Sequence, residues 1–282
     1  KDPLRLLEYS RTIQVFVLLV LFLTLFYLLR KFLPQWAAVF ALAFAMFDPF
    51  YLSQHRLMNH EGMVSLFVMI SLMAFGVYLF KDAKQVFLLL SGMAAGFAQL
   101  SKSSAIAMLA AVGVMLLWQI VQERGSGWGK GFLDALKTLG VWFTVLVVTY
   151  FVFWPGMWVA PGKMLYEVYG NAFSYAFQGA RFTVTEELDV SQFSLNTRLA
   201  DIWEIIKILL YRTTPLTWIG TLLGFSLPFT RDPETAPRNR LFFTLLLTNA
   251  VAFILLIGIA QGRNSPHYIL SSYISLNLLA GL

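Results

Sequence analysis

The chain has no cysteine. Disulfides, thiolate-bound metals and thiol nucleophiles are therefore excluded from its chemistry. It is also poor in charge, with 13% Asp, Glu, Lys and Arg against about 25% in an ordinary soluble domain. Histidine is scarce, at three residues: His55, His60 and His267. His60-Glu61 lacks the second histidine of a zincin helix. No glycine pattern follows a strand-like run, Gly125-Ser126-Gly127 included, so no nucleotide loop is expected. What fills the chain is apolar: 58% of its 282 residues are hydrophobic and 16% aromatic, with a mean hydropathy of +0.69. The net charge is +6. Its basic residues are dispersed between apolar runs, so the expected partner is a lipid bilayer and not nucleic acid.

A membrane-spanning helix takes about 20 apolar residues. Runs of suitable character cover 12–29, 36–53, 63–80, 86–100, 105–121, 138–154, 208–229, 241–260 and 267–282. The fold class expected is all-α, a polytopic transmembrane helix bundle with one large external loop carrying amphipathic helices. Residues 1–10 read as the remnant of an external loop, and 11–154 as six transmembrane helices. Residues 155–207 read as an external loop with an interfacial helix, and 208–282 as three more transmembrane helices. Lys1 is not a methionine, and the chain stops inside an apolar run at Leu279-Ala280-Gly281-Leu282. Both ends are therefore expected to be cut.

Alternating the short loops, with 155–207 left out of the count, puts Arg30, Lys31, Lys81, Lys84, Arg124, Lys130, Lys137, Arg231, Arg238 and Arg240 on one side, and Arg56, Lys102 and Arg263 on the other. The first set is expected to be cytoplasmic by the positive-inside bias. Residues 155–207 then fall on the non-cytoplasmic side of a multi-pass cell-membrane protein. Within them Leu165, Val168, Tyr169, Ala172, Phe173, Ala176 and Phe177 recur at helical spacing. Glu167, Asn171, Ser174 and Gln178 take the opposite face and Gly179 supplies a stop, which predicts a helix lying in the outer interface. A second periodic stretch, Ile202, Ile205, Ile206, Leu209 and Leu210, leads towards an interruption at Pro215.

Ionisable groups at membrane depth are costly and so become functional candidates. On the external side these are Asp48, Arg56, Glu61, Lys102, Arg263 and His267, with Tyr268 beside the last. The run 86–100 rises only about 22 Å. Lys102 should thus lie below the outer surface, in a wetted cavity. Plainer alternatives stay open: an Asp48–Arg56 salt bridge, a Lys102 chain running out to the interface, and His55 and His60 as ordinary loop residues. The run Ser91-Gly92-Met93-Ala94-Ala95-Gly96 reads as close helix packing. Cations such as Lys102, Arg263 and His267 suit a phosphate, a carboxylate suits a hydroxyl, and an apolar groove suits a lipid tail. That combination suggests transfer of a group from a lipid-phosphate carrier.

Several stretches, in order, resemble one family. These are Tyr9-Ser10-Arg11; Asp48-Pro49 with Gln54-His55-Arg56 and Glu61; Ser91-Gly92-Met93-Ala94-Ala95-Gly96-Phe97-Ala98-Gln99-Leu100-Ser101-Lys102; Trp154-Pro155 with Trp158 and Pro161; Arg212-Thr213-Thr214-Pro215-Leu216; and Gly262-Arg263 with His267-Tyr268. Together they resemble the GT-C glycosyltransferases of the dolichyl-phosphate-mannose–protein mannosyltransferase class, including bacterial family-39 and aminoarabinose-transferase-like enzymes.

The resemblance implies a GT-C fold, a polyprenyl-phosphate sugar donor, inversion at the anomeric carbon, and a protein, lipid A or glycan acceptor. By the same resemblance Lys102, Arg263 and His267 would hold the donor phosphate. Glu61 would be a second acid shaping the sugar or acceptor site, with Arg56, Tyr268 and Asp48 supporting. The family's main acid is expected before Lys1, so the catalytic residue is unknown here and the chain as it stands is expected not to catalyse. Ala180 stands where many bacterial members place a His. No cofactor is certain, and a divalent metal stays open. His267 in place of an Arg would make donor binding pH-sensitive. The rival readings are a secondary transporter or lipid flippase, an O-antigen ligase-like transferase, and a structural membrane subunit. The transporter reading lacks an internal repeat.

Overall fold

A computed structural model describes residues 3–57, 59–122, 128–170, 195–260 and 265–282. Among these residues the chain is helical and contains no strand. Five helices are long and apolar enough to cross a membrane, and a bent pair would make a sixth. This is the all-α polytopic bundle expected from composition.

The first helix, α1 (Pro3–Phe32), is longer than the run that announced it. Pro3 occupies its first turn, where a missing N–H costs nothing, and no breaker follows before Pro34. Residues 3–10, expected as loop, therefore continue the helix. The run 36–53 is not one span. It divides into α2 (Gln35–Phe47) and α3 (Pro49–Arg56), bent by 60°. Pro49 cannot donate to the α2 ladder and disfavours helical geometry at Asp48. The Asp48 carboxylate then caps the new helix by accepting the Tyr51 N–H at 2.8 Å.

Helix α4 (Glu61–Phe80) is the axis of the bundle, with nearly every residue from Val64 to Val77 buried. A helix apolar on all sides has to be surrounded. Its neighbours include α1 and α5 (Gln85–Ser101). After a 3-10 turn (Ser103–Ala107) come α6 (Met108–Gln122) and α7 (Trp128–Phe153). Without a hydrophobic force between helices in lipid, small residues and interhelical hydrogen bonds hold such contacts together. Ser71 of α4 and Ser91 of α5 each donate to the other's carbonyl at 2.8 Å, and the buried Trp142 indole of α7 donates to Ser91 Oγ at 2.8 Å. Gly92 and Gly96 bring α5 against α7, as the small-residue run suggested. A Cβ on Gly92 would lie 2.7 Å from Val145 Cβ, and one on Gly96 2.6 Å from Thr149 Cβ.

Short helices α8 (Gly156–Val159) and α9 (Pro161–Leu165) and a wide turn (Tyr166–Gly170) follow α7. Of the expected interfacial helix, Leu165, Val168 and Tyr169 are described. Ala172, Phe173, Ala176 and Phe177 lie outside the described residues, as do Gly179 and Ala180. The second periodic stretch is α10 (Leu195–Arg212), with Ile205 and Leu209 buried and Trp203 and Tyr211 exposed. The run 208–229 thus splits. Its start belongs to α10, and α11 (Pro215–Gly224) begins afresh at Pro215, capped by Thr214 Oγ1. Helices α12 (Ala236–Ile259) and α13 (Leu270–Ala280) close the chain, the latter entered through a 3-10 turn (Pro266–Ile269). Polar side chains join them: Asn249 donates to Ser275 Oγ at 2.9 Å, Ser272 to the Ala250 carbonyl at 2.8 Å, and Thr217 of α11 to Asn277 Oδ1 at 3.0 Å.

The direction of α4 separates two ends. Lys31 lies over the rings of Tyr27 and Phe87, and Lys81 over Phe32, at one end. Glu61 opens α4 at the other.

Close α5–α7 packing should make Gly96→Leu destabilising by roughly 1–3 kcal/mol through overpacking. In α6, a Cβ on Gly113 meets nothing within 4 Å, so Gly113→Ala should be neutral or slightly stabilising. Thermal unfolding in detergent reads both. Equal melting of Gly96→Leu and the unaltered protein would contradict this packing.

Candidate functional site

Two helix ends meet at one point of the bundle. Glu61 is the first residue of α4. Its N–H donates to Asn59 Oδ1 at 2.7 Å, and Asn59 Nδ2 donates to Gln54 Oε1 at 3.2 Å. These bonds tie the α3–α4 turn to the start of α4, where the helix dipole favours a carboxylate. The turn is further pinned by α3. The Tyr51 hydroxyl lies 2.6 Å from Ser65 Oγ, His55 Nδ1–H donates to the Tyr51 carbonyl at 2.8 Å, and Gln14 of α1 donates to the His55 carbonyl at 2.9 Å. Gly62 leaves room for the His55 ring, which a Cβ would meet at 2.8 Å.

Helix α5 ends at Lys102, whose backbone is extended and whose N–H still bonds the Ala98 carbonyl at 3.0 Å. The side chain turns inward, 12% exposed, and its ammonium forms an ion pair with the Glu61 carboxylate, itself 4% exposed. The Lys102 Nζ also sits 4.0 Å from the centroid of the Tyr268 ring, a cation–π contact. Tyr268 is carried there by the 3-10 turn before α13, and the adjacent His267 ring packs 4.3 Å from it. The lysine does not run out to the interface.

Burial, then the nearby Lys102 charge, then His60 hold the His267 imidazole below its ordinary range. Burial followed by Lys102 does the same to His60. His60 is thus a neighbour of the cluster that reading the turn as ordinary loop had passed over. Its place next to Glu61 was the available signal.

The structure therefore gathers Glu61, Lys102, His267 and Tyr268. Arg263 lies outside the described residues. Asp48 and Arg56 are placed elsewhere, and no ion pair joins them. Asp48 is buried as the cap of α3, with Oδ2 unbonded. Arg56 is exposed and lines, with Arg11 and Gln14, a groove of about 800 Å³ between α1 and α3. Among the described residues no three His, Asp or Glu side chains gather as metal ligands would. A second cavity, of about 570 Å³, opens on the other flank of α5 and shares Lys102 with the cluster.

Chemically, the cluster is a lysine oriented by a carboxylate, with two imidazoles and an aromatic ring around it. An incoming anion can take hydrogen bonds from the ammonium without that charge first having to be dragged from water.

The family model described as dolichyl-phosphate-mannose-protein mannosyltransferase matches residues 8–154. That stretch contains Glu61 and Lys102 and ends at Trp154, before Tyr268. No curated protein and no solved structure matches.

Neutral His60 and His267 carry a stability signature. Their folded values lie below the unfolded imidazole value of about 6.5. Their contribution is therefore present above that pH and is lost as the pH falls below it. The melting temperature should drop between about pH 7 and pH 5. The drop should be shallower in His267→Gln, and an identical slope in that variant would contradict the placement of His267 beside Lys102.

Proposed function

The chain belongs to the dolichyl-phosphate-mannose-protein mannosyltransferase family, and from that premise we propose that it moves a sugar from a polyprenyl-phosphate donor to an acceptor hydroxyl at the non-cytoplasmic face. It is a multi-pass membrane glycosyltransferase of the GT-C type. The observation that carries the finer reading is the buried Lys102–Glu61 pair under Tyr268. A cation buried inside a membrane helix bundle needs a use, and a lipid-borne phosphate is an anion a membrane can deliver to it.

In this reading the acceptor oxygen attacks the anomeric carbon and the carbon–oxygen bond to phosphate breaks on the opposite face, which inverts the centre. The bond pair leaves with the polyprenyl phosphate. Lys102, supported by Arg263 and His267, meets the charge that grows on that leaving oxygen. Glu61 holds the ammonium in place before the donor arrives, and then orients the sugar or acceptor as the phosphate takes over the lysine. The acceptor proton passes to a base that is not assigned among these residues. The acceptor is a protein, lipid A or glycan hydroxyl, with protein favoured by the family. In the short loops the Glu61 end carries three basic residues, Arg56, Lys102 and Arg263, against ten at the other end, which supports the non-cytoplasmic side.

In proteoliposomes containing the intact protein, Lys102→Ala should abolish polyprenyl-phosphate binding and sugar transfer together. Glu61→Gln should lower transfer and also stability, since a buried lysine stripped of its partner costs roughly 3–5 kcal/mol. Unchanged binding and turnover in Lys102→Ala would remove Lys102 from the donor site.

A further inference from the structure

The cavity of about 570 Å³ beside Lys102 is walled by the end of α5, the following 3-10 turn and the last turn of α7. Its size lies within the roughly 300–1,000 Å³ of small-molecule sites. Its residues come from distant parts of the chain: Gln99, Ser101, Lys102 and Ser103 on one side, Tyr150 and Trp154 on the other. The two aromatic rings stand edge to face, with centroids 5.3 Å apart and planes at 86°.

The polar groups are unevenly satisfied. Ser101 is spent on the Phe97 carbonyl at 2.8 Å. Gln99 is 5% exposed, and its Oε1 accepts the Tyr169 hydroxyl at 3.0 Å. Among the described residues its amide N–H groups have no acceptor, and neither the Ser103 hydroxyl nor the Trp154 indole N–H donates to a protein group. Three donor groups without acceptors and the two rings share the cavity with the apolar Phe97, Leu100, Phe153 and Val168, next to a cation already paired with a carboxylate.

We propose that this cavity receives the sugar ring of the donor, with one of the two perpendicular rings, Trp154, packing against its C–H face, Tyr150 standing at its edge, and Gln99, Ser103 and the Trp154 indole placed to donate to its hydroxyls. The inference rests on the donor-phosphate reading of Lys102. A pyranose supplies both features the cavity lacks: hydroxyl oxygens for unmet donors, and a face of weakly positive C–H groups for the negative faces of aromatic rings. A polyprenyl tail supplies neither. It would leave each donor buried and unpaired, at a cost of about 1–3 kcal/mol apiece. Connectivity agrees. The anomeric carbon is bonded to a phosphate oxygen, so a phosphate on Lys102 delivers the ring to the residues flanking that lysine. Val168 extends the wall, and the bond from the adjacent Tyr169 hydroxyl to Gln99 holds that stretch of the 155–207 segment against it. A site built from hydrogen-bond donors discriminates strongly against ligands lacking the matching hydroxyls, which makes Gln99 and Ser103 specificity residues.

The test compares bare polyprenyl phosphate with mannosyl polyprenyl phosphate, binding each to the intact protein in nanodiscs. Trp154→Leu should weaken the mannosylated carrier about tenfold, the loss of one well-placed ring contact. Ser103→Ala, a change too small to endanger folding, should weaken it about fivefold. Both should leave the bare carrier as in the unaltered protein. Equal losses for the two carriers, or no loss for either, would overturn the sugar cavity. Lys102→Ala separates the premise from the inference: it should lose both carriers, and retention of both would refute the phosphate reading alone.

Discussion

An ammonium and a carboxylate facing each other inside the helix bundle set the terms for the rest of this molecule. Neither charge is tolerable there alone, because the desolvation of one buried ion costs several kcal/mol. Lys102 and Glu61 are therefore obligatory partners, and the segments carrying them must arrive together. The fold achieves this by ending one helix where another begins. Helix α5 stops at Lys102 by turning its backbone extended, while α4 starts at Glu61 under the hold of Asn59. The serine clasp between Ser71 and Ser91 and the glycine contacts of α5 on α7 fix the relative height of the two helices. A shift of one turn would part the pair.

Such a pair is poised as well as stable. Its lysine is oriented but not exhausted, since it also lies against the Tyr268 ring and lines the aromatic cavity on the far side. In the proposed reading an incoming phosphate would meet a cation already desolvated and oriented, and would share it with Glu61. Burial and the Lys102 charge both push the His60 and His267 imidazoles below their ordinary range. The family's name speaks of a phosphate-linked sugar; in the proposed reading Lys102 takes the phosphate, and the donors and rings on the other flank take the sugar.

Much of this was legible in the order of residues. Charge in an apolar chain is conspicuous, so Lys102 and Glu61 stood out by their cost, and the Gly92–Gly96 spacing announced a close helix contact. The bend at Asp48-Pro49 was also written, in the proline's missing N–H, yet apolar content across 36–53 masked it. Hydropathy counts side chains and is blind to the backbone. Asp48 and Arg56 are close in sequence and tempting as a pair, but a capping role claimed the carboxylate and α3 turned the arginine towards the groove beside α1. The aromatic cavity was out of reach for another reason. Gln99, Ser103 and Trp154 have ordinary helical or loop explanations one by one, and only the docking of α5 on α7 leaves their donors unmet in one place.

The central claim is that the lipid-borne phosphate rests at Lys102 and not in the groove that Arg11 and Arg56 line. Photocrosslinking decides it most directly, using a polyprenyl phosphate with a photoreactive group beside its phosphate, bound to the intact protein in a bilayer and mapped by mass spectrometry. Adducts on the Gln99–Ser103 stretch and at His267 or Tyr268 are the expected result. Adducts confined to α1 and α3 around Arg11 and Arg56 would contradict it.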